Sequence, residues 1–100
     1  MGNQIYARNE FAVVCVGRGY IVINRRKQFP DGHTHIRNFN TAKYIADLAA
    51  YKRIPNHLPA YLLVSLKRLA ESEEQIIRIE SLLENKQRRA AAKKTRGRAG

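Results

Sequence analysis

The sequence predicts a small α+β protein in which an antiparallel β-hairpin or three-stranded meander precedes two or three α-helices and a basic C-terminal tail. Two apolar, β-branched runs flank a glycine-containing turn in the first third of the chain. Beyond residue 40, apolar residues recur at helical spacing instead. The last fifteen residues contain seven cations and no acid. We therefore expect one small domain over residues 1–85, and a basic helix end and flexible tail over residues 86–100.

The predicted sheet begins with two strands, over residues 11–16 and 20–25, joined by Gly17-Arg18-Gly19. Glycine adopts positive φ without steric cost, so this three-residue connection suits a hairpin turn with Arg18 in solvent. A second turn signal, Phe29-Pro30-Asp31-Gly32, precedes an alternating segment over residues 33–39. That segment is predicted to return as a third strand, with His33, His35, Arg37 and Phe39 on one face.

Cysteine content and hydropathy together indicate the compartment. Cys15 is the only cysteine, so no internal disulfide forms, and its place in an apolar run predicts a reduced, buried thiol. No stretch approaches the roughly 20 apolar residues that a bilayer span requires. The N-terminus also lacks a basic segment followed by a long apolar one. These features predict a cytoplasmic protein without membrane contact.

The helical half begins with a predicted helix over residues 41–53, for which Asn40 is the candidate N-cap and Pro55 the terminator. Asn56 is the candidate cap of the next helix, with Pro59 tolerated in its first turn. The last helical region, residues 58–89, allows two interpretations. The sequence Ser72-Glu73-Glu74-Gln75 resembles a capping box and favours a break near Ser72, giving a helical hairpin.

The competing interpretation of residues 58–89 is one straight helix. Four apolar residues recur every seven positions and form a seam suited to a partner chain or a second copy. The residues of this stripe are Leu62, Leu69, Ile76 and Leu83. Only one of the four companion positions, three residues further on, is apolar, namely Ile79. The sequence therefore favours a helical hairpin or a bent helix, and leaves a straight helix with a partner-binding seam, including a homodimer, as the alternative.

Catalytic and metal-binding patterns are not evident in the sequence. The three serines lie in predicted helices, and none sits in a nucleophile elbow. Gly17-Arg18-Gly19 lacks the remaining residues of a dinucleotide or P-loop motif. His33 and His35 point to one side of a strand, and His57 would have to supply a third metal ligand. Exposed or hydrogen-bonded histidines are favoured, so we expect a non-enzymatic protein without metal or cofactor.

Positive charge is the strongest functional signal in the sequence. Lys and Arg number 19 against 8 acids, giving a formal net charge of +11, which favours polyanionic partners. Phosphate contacts by these cations would give salt-sensitive affinity without base specificity, and DNA is favoured over RNA. The candidate nucleic-acid-binding residues are Arg25, Arg26, Lys27, Lys86, Arg88, Arg89, Lys93, Lys94, Arg96 and Arg98.

Three aromatic residues, Tyr20, Phe29 and Phe39, lie close in sequence to cations of the hairpin region. Exposed rings interleaved with cations would stack on the bases of single strands. The alternative is a packing role, because a domain of this size needs large side chains for its core. For Tyr20 and Phe39 we favour the core.

The order of segments resembles a known group of proteins. A short basic hairpin, then Asn38-Phe39-Asn40-Thr41-Ala42-Lys43-Tyr44-Ile45-Ala46, then a proline-punctuated helical half and a basic tail are similar in layout to small early-region proteins of temperate phages. The anti-RecBCD proteins of P22-like phages are the nearest of these in size and character. The resemblance covers most of the chain but includes no diagnostic motif, so no functional residue is carried over. It implies a protein partner engaged in DNA processing.

The leading hypothesis is a cytoplasmic adaptor or inhibitor that docks on a host DNA-processing protein, such as the RecBCD nuclease, while its basic tail contacts nearby DNA. The alternative is a direct nucleic-acid-binding regulator or ribosome-associated protein. A third hypothesis is a helical protein that self-associates through the stripe of Leu62, Leu69, Ile76 and Leu83.

Overall fold

A computed structural model describes the backbone of residues 3–99 and the side chains of residues 3–92. Within these residues, a four-stranded antiparallel sheet of order β1-β2-β3-β4 precedes three helices. The elements are β1 (Gln4–Arg8), β2 (Phe11–Val16), β3 (Gly19–Asn24), β4 (His33–Ile36), α1 (Phe39–Ala50), α2 (Ala60–Leu69) and α3 (Glu73–Ala99). The predicted α+β class is confirmed, with one strand more than the predicted meander. None of the described helices combines the length and apolar content needed to cross a bilayer.

The additional strand is β1, which pairs with β2 through a tight turn at Asn9-Glu10. Asn9 has φ 55°, a left-handed conformation that asparagine tolerates better than most residues. Contacts with α1 hold the strand in place: the Tyr6 hydroxyl donates to Asp47 Oδ1 at 2.5 Å. Local sequence does not predict β1, because its residues are mostly polar or exposed and its position depends on these distant contacts.

The hydrophobic core lies between the helices and one face of the sheet, here called the inner face. Strand register places Phe11 opposite Asn24 and Val13 opposite Val22, so these residues share that face. Phe11, Val13 and Val22 belong to the buried cluster that includes the apolar stripes of α1 and α2. Ala12, Val14, Ile21 and Ile23, together with His33 and His35, are the alternate residues and form the outer face.

Cys15 is exposed, so the predicted buried thiol is wrong. The residue does share the inner face with Phe11 and Val13, opposite Tyr20. It lies near the end of β2, where the burial of the strand gives way to exposure. The apolar run indicated the strand correctly, but it does not reveal how far along the strand the helical layer extends.

Several predicted boundaries move by two or three residues. Strand β4 ends at Ile36, and Asn38 rather than Asn40 caps α1, since Asn38 Oδ1 accepts from the Thr41 amide at 3.2 Å. The hairpin turn has two residues, because β3 already begins at Gly19, and Gly17 takes the positive φ of 41°. Asn56 caps none of the described helices. Its side chain accepts a hydrogen bond from Arg78 at 2.9 Å, and α2 begins after Pro59 without a side-chain cap.

The break near Ser72 is confirmed, so residues 58–89 form a helical hairpin rather than one helix. Ser72 Oγ accepts from the Gln75 amide at 3.2 Å, and Gln75 Oε1 accepts from the Ser72 amide at 3.5 Å. These reciprocal bonds are the predicted capping box. Glu73 and Glu74 follow in the first turn of α3, where carboxylates interact favourably with the helix macrodipole.

Replacing Ser72 by alanine is expected to lower the free energy of unfolding by about 1 kcal/mol, because the Gln75 amide loses its acceptor at the start of α3. Urea denaturation followed by circular dichroism measures the change. Ser81→Ala is the matched control, since Ser81 is an exposed serine inside the same helix and alanine has the higher helix propensity. Equal losses in both variants would contradict a capping role for Ser72.

The heptad stripe faces the inside of the chain. Leu62 and Leu69 are 6% and 0% exposed, and both belong to the central cluster. Ile76 and Leu83 are half-buried and pack against the same cluster. The predicted partner-binding role is therefore wrong for Leu62 and Leu69, because the hairpin folds the stripe back onto the chain's own core.

Candidate nucleic-acid interface

The lengths of the two helices in the hairpin differ greatly. α3 follows α2 after a break of three residues, and Lys67 Nζ lies 3.1 Å from Glu80 Oε2 between the two helices. α2 has 10 residues and α3 has 27, which correspond to about 15 Å and 40 Å at 1.5 Å per residue. α3 is therefore much the longer of the two helices, and its second half has no counterpart of equal length in α2.

The part of α3 beyond Lys86 leaves the folded body, and we call residues 87–99 the projecting segment. Lys86 is the last helix residue of intermediate burial among the described side chains, and residues 87–92 are all exposed. The molecule is correspondingly elongated, with extents of 52 × 30 × 21 Å.

Cations dominate the projecting segment. Arg88 and Arg89 are exposed, and the sequence contains no acid after Glu84. Arg88 Nη2 lies 2.9 Å from Glu84 Oε1, in an exposed i,i+4 pair that contributes only tenths of a kcal/mol. Arg89 forms no ion pair with the described side chains. The remaining predicted cations of the tail have side chains outside the described residues; they are Lys93, Lys94, Arg96 and Arg98.

The other predicted group, Arg25-Arg26-Lys27, lies at the opposite end of the body. Arg26 Nη1 is 3.4 Å from Glu10 and 3.5 Å from Glu71. Lys27 Nζ donates to the carbonyl oxygens of residues 68 and 70 at the end of α2, where a cation is favourable. Of these three residues, Arg25 alone is exposed and without an ion pair to the described side chains. The structure does not bring the two predicted groups together.

A second cationic surface, which the sequence alone did not indicate, lies at the end of the sheet near the β2–β3 turn. Arg18 and Arg37 line an open groove there together with His35. A neighbouring groove shares His35 and Arg37 and is also lined by Tyr61, which is 66% exposed. Among the described residues, neither groove has an acidic lining residue. We call Arg18, His35, Arg37 and Tyr61 the sheet-end surface.

Tyr61 belongs to the first turn of α2 and lines a groove together with His35 and Arg37, so the sheet-end surface lies at that end of α2. Acids concentrate at the other end, around the last turn of α2 and the first turn of α3. Four of the eight acids lie there: Glu10, Glu71, Glu73 and Glu74. The fold thus separates a cationic end from an end that carries half of the acids.

The three hairpin aromatics divide between core and surface. Tyr20 and Phe39 have ring centroids 5.6 Å apart and pack against the core, as predicted. Phe29 is 42% exposed and stacks on His33, with centroids 4.4 Å apart and an interplanar angle of 11°. His33 in turn contacts His35 edge-to-face at 5.2 Å. A row of three rings therefore follows the outer face of β4.

The cations around Tyr6, namely Arg8 and Lys43, have a structural role. The Arg8 guanidinium lies near the rings of Tyr6 and Tyr51, and its hydrogen bond to the Tyr6 hydroxyl is the main cause that raises the pKa of Arg8. Arg8 and Lys43, which lies over the Tyr6 ring, connect β1 to α1.

In the described part of the chain, no three His, Cys, Asp or Glu side chains cluster as a metal site.

No family model, curated protein or solved structure matches this chain. Its function is therefore inferred from the geometry and charge of the chain itself.

Proposed function

We propose that this chain binds nucleic acid directly, with the projecting segment of α3 as its main contact surface. The observation that carries the proposal is a helix that leaves the body at residue 87 and is fully exposed through residue 92, in a stretch that contains cations and no acid. A solvated helix needs no such concentration of like charge, and like charges on adjacent turns repel one another. A phosphate backbone removes that repulsion.

Dimensions also suit the proposal. The major groove of B-DNA is about 12 Å wide and admits an α-helix. Residues 87–92 of the projecting segment are exposed, so no neighbouring element of the described structure obstructs their entry into a groove. Arg18 and Arg37 of the sheet-end surface provide a second cationic area, in a groove without an acidic lining residue. The acid-rich end of the hairpin lies away from this surface, where it avoids repulsion by the ligand.

The adaptor hypothesis is the second proposal, with a DNA-processing protein as partner. Its support is a pair of exposed apolar side chains on one face of α2, Tyr61 and Val64, at 66% and 40% exposure. Direct binding ranks higher here because Leu62 and Leu69, half of the stripe that the adaptor would use, are buried in the chain itself. Affinity purification that recovers a stoichiometric protein partner, lost in Tyr61→Asp, would reverse this ranking.

Salt dependence provides the test of direct binding. With about five phosphates neutralised, the slope of log K against log salt is expected to be about −4.5 on duplex DNA. Affinity for a labelled duplex of about 30 base pairs should then fall about 500-fold between about 50 and 200 mM salt. Fluorescence anisotropy of the full chain measures both quantities. Absence of binding at the lower salt concentration, or a slope near zero, would contradict the proposal.

A further inference from the structure

We propose that the row of rings on the outer face of β4, namely Phe29, His33 and His35, stacks with unpaired bases, so that the nucleic acid bound by this protein is single-stranded over part of its length. This inference rests on the proposed function and assigns a ligand class to the ring row, which shares His35 with the sheet-end surface. Its starting point is the outer face of the sheet, none of whose described residues belongs to the core cluster. Ala12, Val14 and Ile21 of this face are buried, whereas His33 is half-buried and His35 is exposed.

The ring row is held in a defined geometry. The carbonyl oxygen of Phe29 can only accept, so the His33 Nδ1–H donates to it, at 2.7 Å. This bond and the parallel stacking at 4.4 Å fix the two rings relative to each other. His35 lies one strand repeat further along the same face and is exposed. Rings fixed in this way lose little conformational entropy when a base stacks on them.

Cations line a groove at the His35 end of the ring row. His35 lines the groove that also contains Arg18 and Arg37, and neither arginine has an acidic partner in the described structure. Asp31 lies in the turn beside Phe29, at the other end of the row. A single strand is therefore expected to place its phosphates near Arg18 and Arg37 and its bases along the rings. Exposed rings beside unpaired cations are the combination that single-strand-binding surfaces use.

A duplex cannot use this row, because its bases are already stacked on one another and only its edges and backbone are accessible. An unpaired strand offers the faces of its bases, and both DNA and RNA share that chemistry. Stacking also differs from phosphate contact in its response to salt. The affinity that the rings contribute should be nearly the same at about 50 and 200 mM salt, whereas the affinity from the projecting segment should fall steeply.

The test compares Phe29→Leu and His35→Ala with the wild-type full chain on labelled single strands of about 12 nucleotides and on a duplex of about 30 base pairs. Each variant is expected to bind the single strand about 10-fold more weakly, by a factor that does not change with salt, and to bind the duplex within about twofold of wild type. Tyr51→Leu is the matched control, since Tyr51 is an exposed ring beside Arg8 at the opposite, β1 edge of the sheet. It should bind both ligands like wild type.

The outcomes separate the two proposals. If the wild-type chain binds nucleic acid but both ring variants keep wild-type affinity for the single strand, the ring row is not a binding surface, while the proposed function stands. Equal losses on single strand and duplex would also overturn the stacking inference. A wild-type chain that binds neither ligand overturns both proposals. Running the same series on RNA of matching sequence identifies which of the two single-stranded ligands binds more tightly.

Discussion

Replacing Arg88 and Arg89 together by glutamine is expected to weaken binding to duplex DNA about 60-fold at about 0.1 M salt. Removing one phosphate contact lowers the affinity by a factor of about 8 at that salt concentration, and it makes the slope of log K against log salt less steep by about 0.9. Removing two contacts therefore makes the slope less steep by about 1.8. Both arginines are exposed on the projecting segment. Anisotropy titrations of the full chain at several salt concentrations measure the affinity and the slope.

Glutamine suits this experiment because its helix propensity is close to that of arginine, so the variant keeps α3 helical. Within the described part of the chain, the double substitution breaks one ion pair, the exposed pair of Arg88 with Glu84, which contributes at most about 0.5 kcal/mol. Stability should therefore stay within about 0.5 kcal/mol of wild type. A weaker affinity then reflects nucleic-acid binding and not folding.

The control removes the same charge from another place. Arg53→Gln with Arg68→Gln also lowers the formal net charge from +11 by two, to +9. Both of these arginines are exposed, and they lie toward the acid-rich end of the hairpin. Duplex affinity in this control should stay within about threefold of wild type, because long-range attraction is screened beyond about 10 Å. Equal losses in the two double variants would mean that net charge, and not the projecting segment, determines binding.

The parts of the fold that sequence could predict are those specified by neighbouring residues. The β2–β3 hairpin follows from two β-branched runs around Gly17, and the break between α2 and α3 follows from the reciprocal bonds of Ser72 and Gln75. The sequence did not predict strand β1, because the contacts that stabilise this strand come from α1, about 40 residues away. The sequence did not predict the exposure of Cys15 for a similar reason, since this exposure depends on where the helical layer ends.

The candidate site likewise contains residues that the sequence could identify and contacts that it could not. Composition identified the cations of α3, and among the described side chains Arg88 and Arg89 are exposed beyond Lys86. Composition could not distinguish Arg25, which has no ion pair among the described residues, from Arg26 and Lys27. Arg26 pairs with Glu10 and Glu71, and Lys27 bonds to the end of α2, more than 40 residues away. The proximity of Arg18 and Arg37 was available in principle, because a meander places the β2–β3 turn beside the end of β4.

The largest effect on stability is expected from Asn24, which is the polar residue most deeply buried in the structure described. Asn24 is 0% exposed and joins the end of β3 to the end of α2. Its Nδ2 donates to the Leu69 carbonyl at 2.9 Å and to Glu71 Oε1 at 2.8 Å, and its Oδ1 accepts from the Arg26 amide at 2.9 Å. One side chain therefore satisfies two backbone groups that belong to different parts of the fold.

Replacing Asn24 by leucine, a residue of similar shape, is expected to lower the free energy of unfolding by about 3 kcal/mol. The variant leaves the Leu69 carbonyl and the Arg26 amide without these partners, and each unsatisfied group costs about 1 to 3 kcal/mol. That loss is large against the roughly 5 to 15 kcal/mol of a typical domain. Urea denaturation followed by circular dichroism measures it, and a loss below about 1 kcal/mol would contradict the role assigned to Asn24.

The buried hydrogen bond between Thr34 and Ser65 is expected to be much less costly to remove than the bonds of Asn24. Comparing the two explains why the loss of stability expected for Asn24→Leu is large. Thr34 Oγ1 donates to Ser65 Oγ at 2.9 Å, and both residues are buried between β4 and α2. The double variant Thr34→Val with Ser65→Ala removes donor and acceptor together, so it should cost less than about 1 kcal/mol. The partners of Asn24 include backbone groups that no substitution can remove. A buried side chain that satisfies the backbone is therefore far harder to replace than one that bonds only to another side chain.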